Sequence, residues 1–261
     1  MSALDIVRVG YVKELLAKGQ REDSRGMLDF RNISIKTGII DHAEGSAQVD
    51  LGNTRVLAGV KMVVEEPKPD TPNQGNLVMS AELLPLANAD YETGPPSPAS
   101  IELARVVDRG IRAGNCLDLE GMFIEEGKAW SAYVDLYILN YDGNLFDACE
   151  LAAMAALASA KMPGYKDGAA DYTKREKPAK INSIVTSTTF GKIDNKVALD
   201  MTGAEESAAD GRLTIETDGK IIRAMQKGLS GGFSAEEING LIQESFKKHA
   251  ELRKRIEESI R

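Results

Sequence analysis

The run Gly45-Ser46-Ala47-Gln48-Val49-Asp50-Leu51-Gly52-Asn53-Thr54-Arg55-Val56-Leu57-Ala58 places apolar residues in alternation on both sides of a Gly-Asn break. Period-two alternation interrupted by turn residues predicts paired strands, here Ser46 to Leu51 and Arg55 to Val64. Upstream, Ile33 to Ile40 is a third β-branched run, separated by His42–Gly45, so an antiparallel meander is expected. Further out, Ala3 to Lys18 has Leu4, Val7, Tyr11, Leu15 and Leu16 at helical spacing, and Gly19 ends it.

Downstream, seven of the nine prolines lie between Pro67 and Pro98. That segment is expected to be loop, interrupted by a strand from Leu77 to about Leu84. Ser97-Pro98 opens a helix to Gly114, with serine as cap and proline in the first turn. Lys128 to Tyr141 is a long apolar strand, and Asp142-Gly143 turns the chain into an alanine-rich helix, Leu145 to Lys161. Pro163 to Pro178 is charged and aperiodic, the pattern of a surface connection. Strands are then expected over Ile181 to Phe190, Lys196 to Asp200, Leu213 to Thr217 and Ile221 to Gln226. Asp218-Gly219 is a hairpin turn joining the last two. Gly231-Gly232 is a turn, and Ser234-Ala235-Glu236-Glu237 is a capping box opening a helix to about Glu258. Strands then helix, twice over, predict an α+β body: one domain over 1–261, with an N-terminal helix at 3–18 and similar β-rich halves at about 28–162 and 179–261.

The 261 residues carry 32 Lys+Arg against 40 Asp+Glu, a formal net charge of −8. A protein that binds nucleic acid alone through phosphates carries the opposite sign, so any such contact must come from a local basic patch or a partner. Two histidines, His42 and His249, leave little support for Ser-His-Asp or histidine-metal chemistry. Cys116 and Cys149 are too few for a disulfide framework. The absence of a basic-then-apolar start and of a membrane-length apolar run fits a cytoplasmic protein with reduced thiols and no membrane partner.

Three stretches could carry chemistry. In Ile101-Glu102-Leu103-Ala104-Arg105-Val106-Val107-Asp108-Arg109-Gly110-Ile111-Arg112, a helical period of about 100° per residue puts Arg105, Arg109 and Arg112 within about 60° of one another. Guanidinium forks in a row suit phosphates, although Glu102–Arg105 and Asp108–Arg112 pairs on a solvated face fit the same spacing. Asp200-Met201-Thr202-Gly203-Ala204-Glu205-Glu206, with Asp210 beyond, could hold a divalent ion or supply a general acid, or form a solvated turn capping a helix. Arg21-Glu22-Asp23-Ser24-Arg25 has the alternating charge of a segment pinning the N-terminal helix to the body.

The Gly-Ser-Ala strand, the Gly-x-Thr turn and the Val-Leu-Ala strand resemble the opening of the RNase PH fold, and Arg21-x-Asp23-x-Arg25 resembles its Arg-x-Asp-Gly-Arg segment. Asp70-Thr71-Pro72-Asn73-Gln74-Gly75-Asn76, Glu82-Leu83-Leu84-Pro85-Leu86-Ala87, the arginine helix and Asp147-Ala148-Cys149 resemble one branch, the non-catalytic RNase PH-like subunit of the archaeal exosome. The resemblance runs from about residue 5 to the C-terminus. It implies two β-rich halves with helices in one domain. It also implies a six-membered ring of three heterodimers with a catalytic RNase PH-like paralogue, RNA-binding cap subunits on top, and single-stranded RNA degraded from its 3′ end by phosphate.

Catalytic members have a phosphate site resembling Asp-Gly-Gly-Thr-Arg-Thr-Ala, where this chain has Asp142-Gly143-Asn144-Leu145-Phe146-Asp147-Ala148. Leu145 and Phe146 replace a hydroxyl and an arginine, and Asp147 adds negative charge, which disfavours an anion. The resemblance therefore implies an inactive paralogue with no catalytic residues, no metal and no cofactor of its own. It assigns RNA phosphates to Arg105 and Arg109, with Arg112 a third by helical position. Two other readings are a phosphorolytic 3′–5′ exoribonuclease active by itself, with an anion site around Asp200 and the Arg25 region together with a metal, and a small-molecule binder on the same fold.

Overall fold

The computed structural model describes residues 3–166 and 168–260. The meander is present: β1 (Ile33–Thr37), β2 (Gly45–Leu51) and β3 (Thr54–Glu65) pair antiparallel in sequence order. β3 then pairs with the long β6 (Lys128–Asn140), and β4 (Asn76–Leu83) adds to the far side of β6 in parallel. The short β5 (Phe123–Glu125), after a 3-10 turn at Glu120–Met122, also pairs with β6. A second sheet has the order β10-β9-β11-β12, from β9 (Thr186–Ile193), β10 (Lys196–Leu199), β11 (Gly211–Thr217) and β12 (Ile222–Gly228). The expected strand from Ile181 begins only at Thr186; Ile181 makes a lone bridge to Leu117.

Two helices tie the sheets together. α2 (Pro98–Ala113) begins as its sequence dictates, with Ser97 as N-cap accepting from the Ser100 amide at 3.2 Å. α3 (Leu145–Ser159) is buried along nearly its whole length, which its alanines allow by letting it lie close to the strands on both sides. Its first turn meets β9 of the second sheet through Asp147 and Thr189. The largest apolar cluster spans the first sheet, α2 and α3, and takes in Leu252 and Ile256 of α5 (Ala235–Ser259). α5 opens with the expected capping box at Ser234 and Glu237.

Three expectations are corrected. Pro163 to Pro178 is not a connection but a hairpin, β7 (Lys161–Lys166) with β8 (Ala169–Pro178). Its register shifts on both sides of Pro163, which cannot donate to a ladder, so no alternation survives in the sequence. Arg175 ties β8 to the Glu44 carboxylate at 3.0 Å, and Lys61 sits over the Tyr172 ring. In α1 (Ala3–Ala17) the inward face is Val12 and Leu16, whereas Val7 and Tyr11 are exposed. The side chain of Leu4 lies outside the described residues. Finally, the acidic stretch contains a short helix, α4 (Gly203–Ala208), capped by Thr202 and Glu205. Among the described residues no helix is long and apolar enough to cross a membrane.

Candidate nucleic-acid interface

The turn before α3 is built around a left-handed residue. Asn144 has φ 53° and caps the helix, accepting from the Asp147 amide. Gly143 before it has φ 82°, and a Cβ there would lie 2.3 Å from the Met201 carbonyl oxygen, so only glycine fits. The Asn144 side chain donates to Asp147 Oδ2 and Asp200 Oδ1, both at 2.8 Å. Its backbone amide donates to Glu206 Oε1 at 2.8 Å, and the Tyr141 hydroxyl donates to the other oxygen of that carboxylate. The start of α3, where backbone N–H groups ordinarily receive an anion, is thus occupied by a carboxylate of the chain itself. Burial raises the Glu206 pKa, against the lowering effect of Tyr141, the Asn144 amide, Arg212 and Arg31.

The nearby cations are equally committed. Arg212 packs its guanidinium 4.2 Å from the Phe146 ring centroid and donates to Glu102 at 2.6 Å. Arg31 holds Asp200 through Nε at 3.0 Å and Nη2 at 2.7 Å, and its Nη1 donates to the Asp142 carbonyl at 2.6 Å. The remaining opening is a cleft of about 170 Å³ whose walls include Leu83, Tyr91, Leu103, Leu145 and Phe146, with the Glu102 and Glu206 carboxylates on it. An orthophosphate would meet hydrocarbon, aromatic rings and two carboxylates there, with Arg212, which also lines the cleft, already bonded to Glu102 and stacked on Phe146.

The sequence placed the repelling charge on the wrong residue. Asp147 is fully buried and faces the second sheet, where Thr189 donates to it from its backbone at 2.9 Å and its hydroxyl at 2.8 Å. Glu206 and Glu102, not Asp147, are the carboxylates that line the cleft, and Glu206 is the one bonded to the Asn144 amide.

Two members of the acidic cluster, Asp200 and Glu205, are partners for arginines. Asp200, fully buried, accepts from Arg25 at 3.0 Å as well as from Arg31 and Asn144. Glu205 pairs with Arg21, their side chains 4% and 0% exposed. Asp210 lies apart, accepting from the Asp194 amide at 2.7 Å. Among the described residues no group of His, Cys, Asp and Glu is arranged to hold a metal ion. The Arg21–Arg25 segment does pin chain to body, as its charges suggested, and every cation in it within reach of Asp200 is already bonded.

The arginine helix presents its cations unequally. Leu103, Val106, Val107, Gly110 and Ile111 of α2 are buried, and Arg105, Arg109 and Arg112 lie on the exposed side. The expected Glu102–Arg105 pair is absent because Glu102 bonds Arg212 instead. Arg105 therefore has no hydrogen-bond or ion-pair partner among the described residues. Arg109 donates through Nη2 to the Gln226 side-chain oxygen at 2.9 Å. Arg112 is the most engaged: Nε and Nη2 grip the Asp108 carboxylate, both at 2.9 Å, and Nη2 also donates to the Leu77 carbonyl. Sequence gave no signal for Glu102–Arg212 or Arg109–Gln226, since both join residues more than a hundred positions apart.

The two units of the 3′ exoribonuclease family match this chain, domain 1 over residues 29–163 and domain 2 over residues 183–248. It belongs to that RNase PH family. The chain is 44% identical over 252 residues to the exosome complex component Rrp42 of Pyrococcus furiosus, covering 94% of this chain and 91% of that one. It is 41% identical to the Rrp42 of Methanothermobacter thermautotrophicus, covering 95% and 94%. Among solved structures it matches a chain of the Archaeoglobus fulgidus exosome with RNA bound to the active site, with TM-score 0.92 and 40% identity over 97% of this chain and 99% of that one. A chain of an archaeal exosome core matches with TM-score 0.87 and 37% identity, covering 97% and 98%.

Proposed function

We propose that this chain is a non-catalytic, RNA-positioning subunit of an exosome ring. It pairs there with a catalytic RNase PH-type paralogue in a trimer of heterodimers that degrades single-stranded RNA from the 3′ end with phosphate. RNA-binding cap subunits are the further partners of such a ring. The observation that carries the non-catalytic reading is the start of α3, where the Glu206 carboxylate already accepts the Asn144 amide and Arg212 is stacked on Phe146. Arg212, which lines the cleft, already bonds Glu102 and stacks on Phe146, which supports a chain that contributes surface rather than chemistry.

Arg105 and Arg109 supply that surface. Their exposure on α2, with Arg105 unpartnered, leaves N–H donors for phosphate oxygens. Arg112 contributes less: Asp108 offsets its charge, and Nη1 alone is left for a ligand. Phosphate contacts position a strand without reading its sequence, so handling of RNA is sequence-tolerant. A net charge of −8 fits a subunit that lends a small basic patch to a shared site while its partner supplies the rest.

Co-expression with a catalytic RNase PH-type paralogue tests the assignment. A stoichiometric ring of about six chains that degrades RNA with phosphate is expected. Failure to form any complex with such a paralogue would overturn the reading.

A further inference from the structure

The arginine side of α2 lies over the seam between the two halves, and each flank of it is tied to a different half. At about 100° per residue, Arg109 falls on the Glu102 flank, Arg112 on the Asp108 flank, and Arg105 between them. On the first flank Glu102 bonds Arg212 of β11 and Arg109 bonds Gln226 of β12. On the other, Arg112 bonds Asp108 and the Leu77 carbonyl of β4 in the first sheet.

Register makes the second-sheet side a single surface. Arg212 pairs with Gly228, Thr214 with Gln226 and Glu216 with Ala224, and residues directly opposite in an antiparallel ladder share a face. Arg212, Glu216 and Gln226 therefore look the same way, toward α2. Glu216 sits directly under the helix, its carboxylate 2.6 Å from where a Cβ on Gly110 would stand. Gly110 is thus the close contact that seats α2 on the sheet. The half-buried Gln226 projects from the same surface and receives the Arg109 guanidinium.

We propose that Gln226 is a positioning residue: its side-chain oxygen holds the Arg109 guanidinium in the orientation that meets an RNA phosphate. The inference rests on the assignment of Arg109 to RNA made above. One Nη2 hydrogen is spent on Gln226, which fixes the plane of the guanidinium. Nε and Nη1 have no hydrogen-bond partner among the described residues on this exposed side chain, which has less rotamer freedom to lose on binding. Arg105, with no such tether, reaches RNA as a mobile cation. The second half of the chain thereby sets the geometry of a contact residue carried by the first.

A double-mutant cycle in the assembled complex tests this. Gln226→Met keeps the shape and removes the acceptor, whereas Gln226→Glu keeps the acceptor. The expected result is that Gln226→Met raises the KM and Kd for a single-stranded RNA about threefold or more, the worth of one hydrogen bond, with kcat unchanged. In an Arg109→Ala background Gln226→Met has no further effect, in an Arg105→Ala background its effect persists, and Gln226→Glu holds KM nearer to wild type than Gln226→Met does. If Arg109→Ala weakens RNA binding but Gln226→Met leaves it unchanged, or if their effects simply add, the positioning role is wrong. If Arg109→Ala itself changes nothing, the assignment of Arg109 to RNA falls, and the role of Gln226 with it.

Discussion

Asp147 at the start of α3 and Thr189 in β9 join the two halves of the molecule: the carboxylate accepts both the backbone amide and the hydroxyl of Thr189, at 2.9 and 2.8 Å, with no exposure to solvent. Asn144 completes the arrangement from the other side at 2.8 Å. Asp147→Ala strands these buried donors, so it should lower unfolding free energy by about 1–3 kcal/mol for each one left unpaired. Chemical denaturation of the isolated chain measures this.

The same seam makes stability depend on pH. Burial raises the pKa of Asp147 to about 6 and of Glu216 to about 8, and it raises that of Glu150 well above the usual carboxylate range. Neither Glu150 nor Glu216 has a hydrogen-bond partner for its carboxyl oxygens among the described residues. A carboxyl whose pKa is higher folded than unfolded keeps its proton longer in the native state. These three carboxyls therefore cost the fold nothing below about pH 4 and withdraw stability as pH climbs toward about 8. Glu216→Gln should match wild type in thermal midpoint at about pH 4, exceed it increasingly as pH rises to about 8, and keep that advantage at about pH 9. A constant difference across that range would contradict the assignment.

Arg21 and Glu205 form a buried pair with bonds at 2.9 and 2.5 Å, and Arg21 also donates to the Leu199 and Asp200 carbonyls. Removing one member leaves the other charged and dry. Arg21→Ala should cost about 3–5 kcal/mol, read as an earlier midpoint in urea.

RNA binding by the assembled complex should separate the three arginines. Arg105→Glu and Arg109→Glu are expected to weaken binding, and loss of one phosphate contact lowers the slope of log affinity against log salt by about 1. Arg112→Ala, with Asp108 already against its charge, should change the slope least. Filter binding across a salt series checks all three.

The meander and the caps were legible because their signals are local. Alternation over Gly45–Leu51, the Ser97-Pro98 start of α2 and the Ser234–Glu237 box each depend on residues a few positions apart. The hairpin at β7 and β8 was not legible, because Pro163 and its two register shifts erase the period that marks a strand. For the site, the hydrocarbon and aromatic positions Leu145 and Phe146 were evident in sequence. What fills the anion position was not, since Glu206 reaches Asn144 from a helix 62 positions along the chain. Asp147, three residues beyond Asn144, looked like the repelling charge and serves the interior instead.

The most direct measurement of the central claim is release of nucleoside diphosphates from a single-stranded RNA by this chain alone, purified free of any paralogue and supplied with orthophosphate. With Glu206 seated at the start of α3 and Arg212 held by Glu102 and Phe146, no release above the enzyme-free control is expected, and activity should arise when the catalytic paralogue is added. Sustained phosphate-dependent release by the isolated chain would contradict the account.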